Sequence, residues 1–255
     1  MENNNILHLF IGTSGWSYKH WAGIFYPENV KPAGYLEYYT TNFNSVELNS
    51  SFYHLPMKKT IAGWVSRTPE PFVFCPKMSR YVTHLKRLVN VEESLNLYFD
   101  VFEGMKARLG PVLIQLPPGL PFDKQLLNNF IGILTGKYST YRFAIEARHK
   151  SWFTDDCFKL LGQYNIALVI ADSGKRYPYY EVVTADFVYF RFHGHEQLYA
   201  SDYSEQELQD YAGKIISWLK ENHEVWAFFN NDYQGFAPKN AKRLNEIISE
   251  ALNIV

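Results

Sequence analysis

The sequence predicts an α/β protein folded as a single (β/α)8 barrel of the TIM type, covering residues 1–255. Its length of 255 residues is typical of such a barrel. Eight strand-like runs alternate with helix-like segments to the end of the chain. Hydrophobic residues make up 47% of the chain and aromatic residues 17%, enough for one large core. A doubly wound open sheet is the alternative architecture.

The elements follow from hydrophobic periodicity and from boundary residues. The predicted strands are 7–12, 45–49, 72–77, 112–116, 142–146, 166–171, 187–193 and 225–230. The predicted helices are 34–40, 60–66, 92–109, 125–134, 155–164, 205–222 and 239–252.

Local residues support several of these boundaries. Asp123 can cap a helix, Ser204 with Glu207 forms a capping box, and Pro238 suits a first helical turn. Segment 173–180 offers no helical pattern, so we expect an irregular sixth crossover. Residues 1–5 are expected to be a frayed end.

Composition limits the function classes. The net charge of −1 argues against dominant non-specific binding to nucleic acid. Cys75 and Cys157 are far apart and are expected to be reduced core thiols. The chain has no apolar run long enough for a membrane span, which predicts no membrane partner and a cytoplasmic location. GxGxxG, Walker and GxSxG motifs are absent, which disfavours nucleotide-cofactor, P-loop and α/β-hydrolase chemistry.

Polar side chains recur where the predicted strands end. Ligands of parallel α/β proteins bind at the carboxyl ends of the strands, so these residues define the candidate site. They are Glu47, Asn49, Lys77, Gln115, Glu146, Arg148, Asp172, Arg191, His193 and Asn230. Opposite charges in this set could also pair with one another without any ligand.

The loops after these ends are aromatic, and Trp16 and Tyr53 are the candidates for stacking on a sugar or base. Between Lys77 and Arg87 lies a basic segment without acidic residues. It contains Lys77, Arg80, His84, Lys86 and Arg87. Such a patch can receive a phosphate, a carboxylate or a nucleic-acid backbone, whereas its distal members Lys86 and Arg87 can also be merely solvated.

Several ordered motifs resemble one family. These are Gly12-Thr-Ser-Gly-Trp-Ser-Tyr18 with Trp21, Ser45-Val-Glu-Leu-Asn-Ser-Ser-Phe-Tyr53, Glu146-Ala-Arg-His-Lys-Ser-Trp152, Arg191-Phe-His-Gly194 and Phe229-Asn-Asn-Asp232 with Asn240-Ala241. Together they are similar to the YecE-like family, the domain of unknown function numbered seventy-two, over nearly the whole chain. The resemblance implies a TIM-type barrel and supplies no reaction. Barrels of some members look like those of endonuclease-IV-type and sugar-isomerase enzymes, yet this chain lacks the many strand-end histidines of a trinuclear zinc site.

The leading hypothesis is an enzyme acting by general acid/base chemistry on a small anionic substrate, phosphorylated and sugar-like or nucleotide-like. Glu47, Glu146, His193 and Asp172 are the candidate catalytic residues. Lys77, Arg148 and Arg191 would hold the anion, with Asn49, Gln115, Asn230, Trp16 and Tyr53 as further binding residues.

Two other hypotheses stay open. One is a binding module for nucleic acid or another polyanion, built on the basic segment and the aromatic loops. The other is metal-dependent phosphodiester hydrolysis, because acidic side chains and His193 are ligand types for a divalent ion. No cofactor is predicted. No metal ligand is predicted either, since Lys77, Arg148 and Arg191 would repel a metal cation. The oligomeric state is not predicted.

Overall fold

The computed structural model describes residues 8–195 and 199–253. The expected frayed end at residues 1–5 lies outside this part of the chain. The strands are β1 (Leu9–Thr13), β2 (Ser45–Leu48), β3 (Val73–Pro76), β4 (Val112–Gln115), β5 (Phe143–Glu146), β6 (Ala167–Leu168), β7 (Ile170–Asp172), β8 (Phe187–Phe192) and β9 (Glu224–Phe229).

All paired strands are parallel, which makes this an α/β fold. One sheet has the order β1-β9-β8-β7, a second pairs β2 with β3, and a third has the order β4-β5-β6. Isolated parallel bridges join Ser14 to Glu47 and Lys77 to Leu113, between the edges of neighbouring sheets. The predicted sixth strand is split at Val169 into β6 and β7, which belong to different sheets.

Helices alternate with these strands. They are α1 (Tyr35–Thr40), α2 (Ser50–Tyr53), α3 (Lys58–Ser66), α4 (Glu92–Phe102), α5 (Lys124–Lys137), α6 (Asp155–Gln163), α7 (Glu205–Lys220) and α8 (Phe236–Ala251). Shorter 3-10 turns are Lys19–Trp21, Pro32–Gly34, Glu103–Arg108, Lys150–Trp152 and Tyr233–Gly235, and Tyr81–Leu85 is a π-helical turn.

The boundary residues act as the sequence predicts in two places. Asp123 caps α5 by accepting a hydrogen bond from the Leu126 amide, and Ser204 with Glu207 forms the capping box of α7. Residues 173–186 contain neither helix nor strand, which confirms the irregular sixth crossover. The predicted helix 92–109 is shorter than expected, because the backbone leaves helical geometry at Met105 and the last turn is a 3-10 helix. Helix α2 was not predicted.

Side chains along each strand alternate between two hydrophobic clusters, as a two-residue period requires. The larger cluster joins strands to helices and contains, for example, Val46 of β2 with Leu127 and Phe130 of α5. In the smaller cluster the buried residues come from the strands and from Val169. We call the face that carries the smaller cluster the inner face. Cys75 lies on it, while Cys157 lies in the larger cluster, and both are buried free thiols.

Glycine is required where β1 passes β2. A Cβ atom added to Gly12 would stand 2.1 Å from the backbone oxygen of Ser45, which is too close for any carbon. The backbone has to move to admit even a methyl group. We therefore expect Gly12→Ala to lower the free energy of unfolding by roughly 1 to 3 kcal/mol or more, measured by urea denaturation.

The matched control is Gly63→Ala in α3. An added Cβ at Gly63 would meet nothing within 4 Å. Alanine is favoured over glycine within a helix by about 0.8 to 1 kcal/mol, so this variant should be slightly stabilised. Equal stability of the two variants would contradict the close approach of β1 to β2.

Candidate functional site

Arg191 joins two carboxylates at the carboxyl ends of the strands. Its Nε and Nη2 donate to Oε2 and Oε1 of Glu47 at 2.9 and 2.6 Å, and its Nη1 donates to Oε2 of Glu146. All three side chains are buried from solvent. Glu47, Glu146 and Arg191 belong to β2, β5 and β8, so three separate strands meet here. Bidentate pairing of this kind is the strongest that a guanidinium makes with a carboxylate.

Glu47 receives two further hydrogen bonds from residues that sequence reasoning did not choose. Ser14 Oγ donates to Oε1 at 2.7 Å and Tyr189 OH donates to Oε2 at 2.9 Å. The strand period carries the signal that could have found both. Tyr189 precedes Arg191 by two residues, and Ser14 follows Gly12 by two, so each shares the inner face.

Glu146 is held in the same way. Gln115 Nε2 donates to its Oε2 at 2.8 Å, and Arg148 Nε donates to its Oε1 at 3.1 Å. Burial by itself raises the pKa of Glu146, but the positive charges of Arg191 and Arg148 outweigh burial and hold the pKa well below its usual range. Glu146 is therefore a carboxylate at neutral pH and a weak proton acceptor.

His193 completes this group, which we call the Arg191 cluster: Arg191, Glu47, Glu146, Arg148 and His193. Nδ1 of His193 accepts from Asn230 Nδ2 at 3.1 Å, and Nε2 lies 3.4 Å from Glu146 Oε1. Arg191 Nη1 also lies 3.4 Å from this Nε2. The contacts with Asn230 and Glu146 favour a proton on Nε2, whereas the contact with Arg191, which can only donate, favours a lone pair there. Burial and then Arg191 lower the pKa of His193 more than Glu146 raises it. A neutral His193 leaves two carboxylates balanced by two guanidiniums.

A cavity of about 520 Å³ opens at the same ends of the strands. Six predicted site residues line it: Asn49, Tyr53, Lys77, Gln115, Arg148 and Asn230. Tyr18, Phe52, Arg80, His84, Tyr199 and Asp232 line it as well. Glu47, Glu146, Arg191 and His193 are fully buried and are not part of its wall. A ligand in this cavity would meet Arg148 of the Arg191 cluster directly. It would also meet Gln115 and Asn230, which are hydrogen-bonded to Glu146 and His193.

Lys77 differs from the other cations of the site. Its side chain is only 7% exposed, and Nζ lies 4.2 Å from the centre of the Phe52 ring. Within residues 8–195 and 199–253 no hydrogen-bond acceptor or carboxylate pairs with Nζ. Burial, followed by the charge of Arg191, lowers the pKa of Lys77 to about 7 although Glu146 and Glu47 oppose this. The amine is thus partly unprotonated at neutral pH.

The side chains of the basic segment 77–87 lie in different places. Lys77, Arg80 and His84 line the cavity. Burial and the nearby Lys77 lower the pKa of His84 to about 4, so its ring is neutral. Arg87 donates instead to the Gly119 carbonyl at 2.8 Å, and Lys86 lies over the Tyr81 ring. The segment therefore does not present one continuous basic surface.

Asp172 is not brought to the Arg191 cluster. It follows Ile170 by two residues, and Ile170 belongs to the larger, helix-facing cluster. Its Oδ2 accepts from Tyr203 OH at 2.9 Å and from Tyr211 OH at 2.8 Å. Two-residue counting from Ala171 on the inner face leads to Ser173 instead. The sequence predicts Asp172 as a catalytic residue at the strand ends, but its carboxylate lies on the helix-facing side.

The two predicted aromatic residues lie in different places. Tyr53 is 62% exposed at the rim of the cavity. Trp16 lines a neighbouring cavity of about 460 Å³, where it packs edge-on against Trp64. Tyr18 and Asn49 belong to both cavity walls, so the two spaces adjoin.

Three described amides in the loops after β8 and β9 are engaged within the protein. The Gly194 amide donates to Tyr203 OH at 3.0 Å, the Asn230 amide to the Phe192 carbonyl at 2.8 Å and the Gly235 amide to the Asp232 carbonyl at 3.2 Å. The side chains of Lys77, Arg80 and Arg148 line the cavity and are the cations that an anion there would meet.

Two further features bear on the sequence-based hypotheses. In the part of the chain that the structure describes, no group of three or more His, Cys, Asp or Glu side chains is arranged to hold a metal ion. The hypothesis of metal-dependent hydrolysis gains no support from these residues. No described helix is both long and apolar enough to cross a membrane.

Parallel strands alternating with helices, with a charged site at the strands' carboxyl ends, define an α/β protein of the class that binds ligands at this edge. A family model described as "Protein of unknown function DUF72" matches residues 10–254. The chain belongs to this family, which confirms the family predicted from the motifs.

Named relatives are similar to the chain along much of its length. The chain is 24% identical over 270 residues to UPF0759 protein YunF of Bacillus subtilis, covering 94% of each chain. It is 26% identical over 146 residues to UPF0759 protein YecE of Escherichia coli K12, covering 57% of this chain and 50% of that protein. The crystal structure of the DUF72 protein TM1631 from Thermotoga maritima superposes with a TM-score of 0.85 at 30% identity, covering 94% of this chain and 99% of that one.

A more distant structure shares the fold alone. It is a fusion of a xylose isomerase-like TIM barrel with a 4-hydroxyphenylpyruvate dioxygenase. The TM-score is 0.53 at 13% identity, and the match covers 96% of this chain and 44% of that one.

Proposed function

We propose that this protein is a TIM-barrel enzyme that acts on a small anionic substrate, phosphorylated and sugar-like or nucleotide-like, in the cavity lined by Lys77, Arg80 and Arg148. The observation that carries the proposal is the buried ammonium of Lys77 in the wall of that cavity, which has no ionic partner among the described residues. A buried cation without a counter-ion is costly, and an anionic ligand would supply the missing partner.

Closure of residues 1–255 into one barrel is part of the proposal. The bridge from Ser14 to Glu47 joins β1 to β2, and the bridge from Lys77 to Leu113 joins the end of β3 to β4. Strands β6 and β7 are consecutive and pair with β5 and β8. These links support a continuous ring of parallel strands, with the inner-face cluster filling its centre.

The wall of the cavity supports a hydroxylated substrate. Asn49 Oδ1 is buried, and no donor among the described residues reaches it. Asn49 lines the cavity, and rotation of its side chain would let this oxygen accept a hydrogen bond from a sugar hydroxyl. Since Asn49 faces both adjoining cavities, a substrate could place its anionic group near Lys77 and its remaining atoms toward Trp16.

Proton transfer needs a group that the substrate can touch. The predicted acid and base, Glu146 and His193, are enclosed, and Glu146 is bound to two guanidiniums. In the proposal they hold Arg148 and Arg191 in place, and Lys77 is the titrating group that faces the substrate.

The cytoplasmic location remains a prediction from the sequence.

A ligand panel tests the anion site. Inorganic phosphate, ribose 5-phosphate and AMP should raise the melting temperature, whereas ribose and adenosine should not. We expect Arg148→Met to weaken the binding of ribose 5-phosphate by about 10- to 100-fold in calorimetric titration, because a charge-assisted hydrogen bond is worth roughly 1.5 to 3 kcal/mol.

The matched control for this prediction is Lys86→Met, which removes a cation of the same segment outside the cavity wall. Its affinity for ribose 5-phosphate should equal that of the unaltered protein. Equal losses in both variants, or stabilisation by ribose itself, would refute the anion site. A single-stranded oligonucleotide in the same panel tests the nucleic-acid alternative, whose binding would fall steeply with added salt.

A further inference from the structure

Lys77 is held rigidly at the edge of the cavity. Its amide donates to the Leu48 carbonyl at 3.1 Å, and its own carbonyl accepts from Ser51 Oγ at 2.7 Å. The side chain then runs beside the Phe52 ring into the cavity. Its backbone is therefore tied on both sides of the residue, and the Phe52 ring packs beside the path of the side chain.

The carboxylates that could neutralise Lys77 are already engaged. Glu47 accepts from Ser14, Tyr189 and Arg191. Glu146 accepts from Gln115, Arg148 and Arg191. Their charges are therefore balanced by guanidiniums, and the ammonium is left in a partly dry wall among like charges. A lysine in such surroundings loses its proton readily and becomes a nucleophile at neutral pH.

Other nucleophiles are less suitable. Cys75 and Cys157 are buried, do not line the cavity, and have pKa values raised by burial. The imidazole of His84 lines the cavity, but its Nδ1 is engaged by Thr83 Oγ1 at 2.9 Å. Lys77 is therefore the strongest nucleophile among the described residues of this wall.

We propose that Lys77 forms an imine with the carbonyl carbon of a phosphorylated aldehyde or ketone, while Arg80 and Arg148 hold the phosphate. The Nζ–C bond forms, the C–O bond breaks, and both amine hydrogens leave with the carbonyl oxygen as water, so no oxidant or reductant is consumed. A proton from solvent converts the imine to an iminium ion, which withdraws electrons from the neighbouring carbon. This inference rests on the proposed anion site.

The experiment traps the imine. The protein is incubated at pH 7 with glycolaldehyde phosphate and sodium cyanoborohydride, and adducts are mapped by mass spectrometry of peptides. We expect one adduct at Lys77, formed at least about 100-fold faster than at the exposed Lys58 and Lys124, because an ordinary lysine with a pKa near 10.4 is almost wholly protonated at this pH. The rate should fall as the pH is lowered from 8 to 5.

Variants and a second probe separate the possible outcomes. Lys77→Arg keeps the charge and should abolish this adduct. Labelling of Lys77 no faster than of Lys58 overturns the imine, and if phosphate still raises the melting temperature in the same samples, the anion site stands without it. Neutral glycolaldehyde trapped at Lys77 as fast as its phosphate, with no competition by inorganic phosphate, supports the imine and refutes the anion site.

Discussion

Replacement of Arg191 by methionine is expected to lower the free energy of unfolding by about 3 to 5 kcal/mol, because removing one partner of a buried ion pair leaves the other charge uncompensated. Loss of the Arg191 guanidinium removes the ionic partner that Glu47 and Glu146 share, and neither carboxylate has exposed surface. Urea denaturation at pH 7 measures the effect.

The control for this variant is Arg243→Met. Arg243 pairs with Glu205, Glu246 and Glu250, but these side chains are in contact with water. Solvent screens such pairs, and the urea midpoint should hardly move. A further test adds Glu47→Gln and Glu146→Gln to the Arg191 variant. Removing both unpaired carboxylate charges should recover part of the lost stability. Failure to do so would show that lost packing rather than charge causes the effect.

Replacement of Lys77 by methionine should instead stabilise the protein at acidic pH. The pKa of Lys77 falls from 10.5 to about 7 on folding, and a tenfold change in a protonation equilibrium corresponds to about 1.4 kcal/mol, so the charged form opposes folding by at most roughly 5 kcal/mol. The contact with Phe52 offsets about 1 to 2 kcal/mol of this cost. We expect the variant to be at most roughly 3 to 4 kcal/mol more stable than the unaltered protein at pH 6, measured by urea denaturation.

The pH dependence identifies the cause. Below pH 7 both the folded and the unfolded chain carry the Lys77 proton, and the cost is fully present. Between pH 7 and 10.5 the unfolded state binds more protons, so the stability conferred by this position rises with pH. The advantage of Lys77→Met should therefore disappear by about pH 10. A difference that stays constant from about pH 6 to 10 would mean that packing, and not titration, separates the two proteins.

Much of the fold could be predicted because its signals are local. Alternating strand and helix patterns, the Asp123 cap and the Ser204 capping box depend on neighbours within a few residues. The same two-residue period places Lys77 and Glu146 on one face of their strands. The prediction for Asp172 did not hold, because Asp172 shares the face of Ile170, which packs against the helices.

The end of the predicted helix at Met105, the break at Val169 and the short helix α2 were not predicted. The hydrophobic pattern continues through all three places, so periodicity by itself does not mark them. Trp16 was placed at the same site as Tyr53 for a related reason. The sequence shows that both follow a strand, but not that their loops open into different, adjoining cavities.

The sequence by itself predicted the alternation of strands and helices, the family, and a set of polar residues at the strand ends. Only the tertiary structure decided which of those charges neutralise one another. Arg191 and Glu47 are 144 residues apart, yet their side chains are 2.6 Å apart. Coulomb energy depends on distance in space and on burial, and neither follows from separation along the chain. That is why Glu47 and Glu146 became enclosed partners of Arg191, and Lys77 faces the cavity without an ionic partner among the described residues.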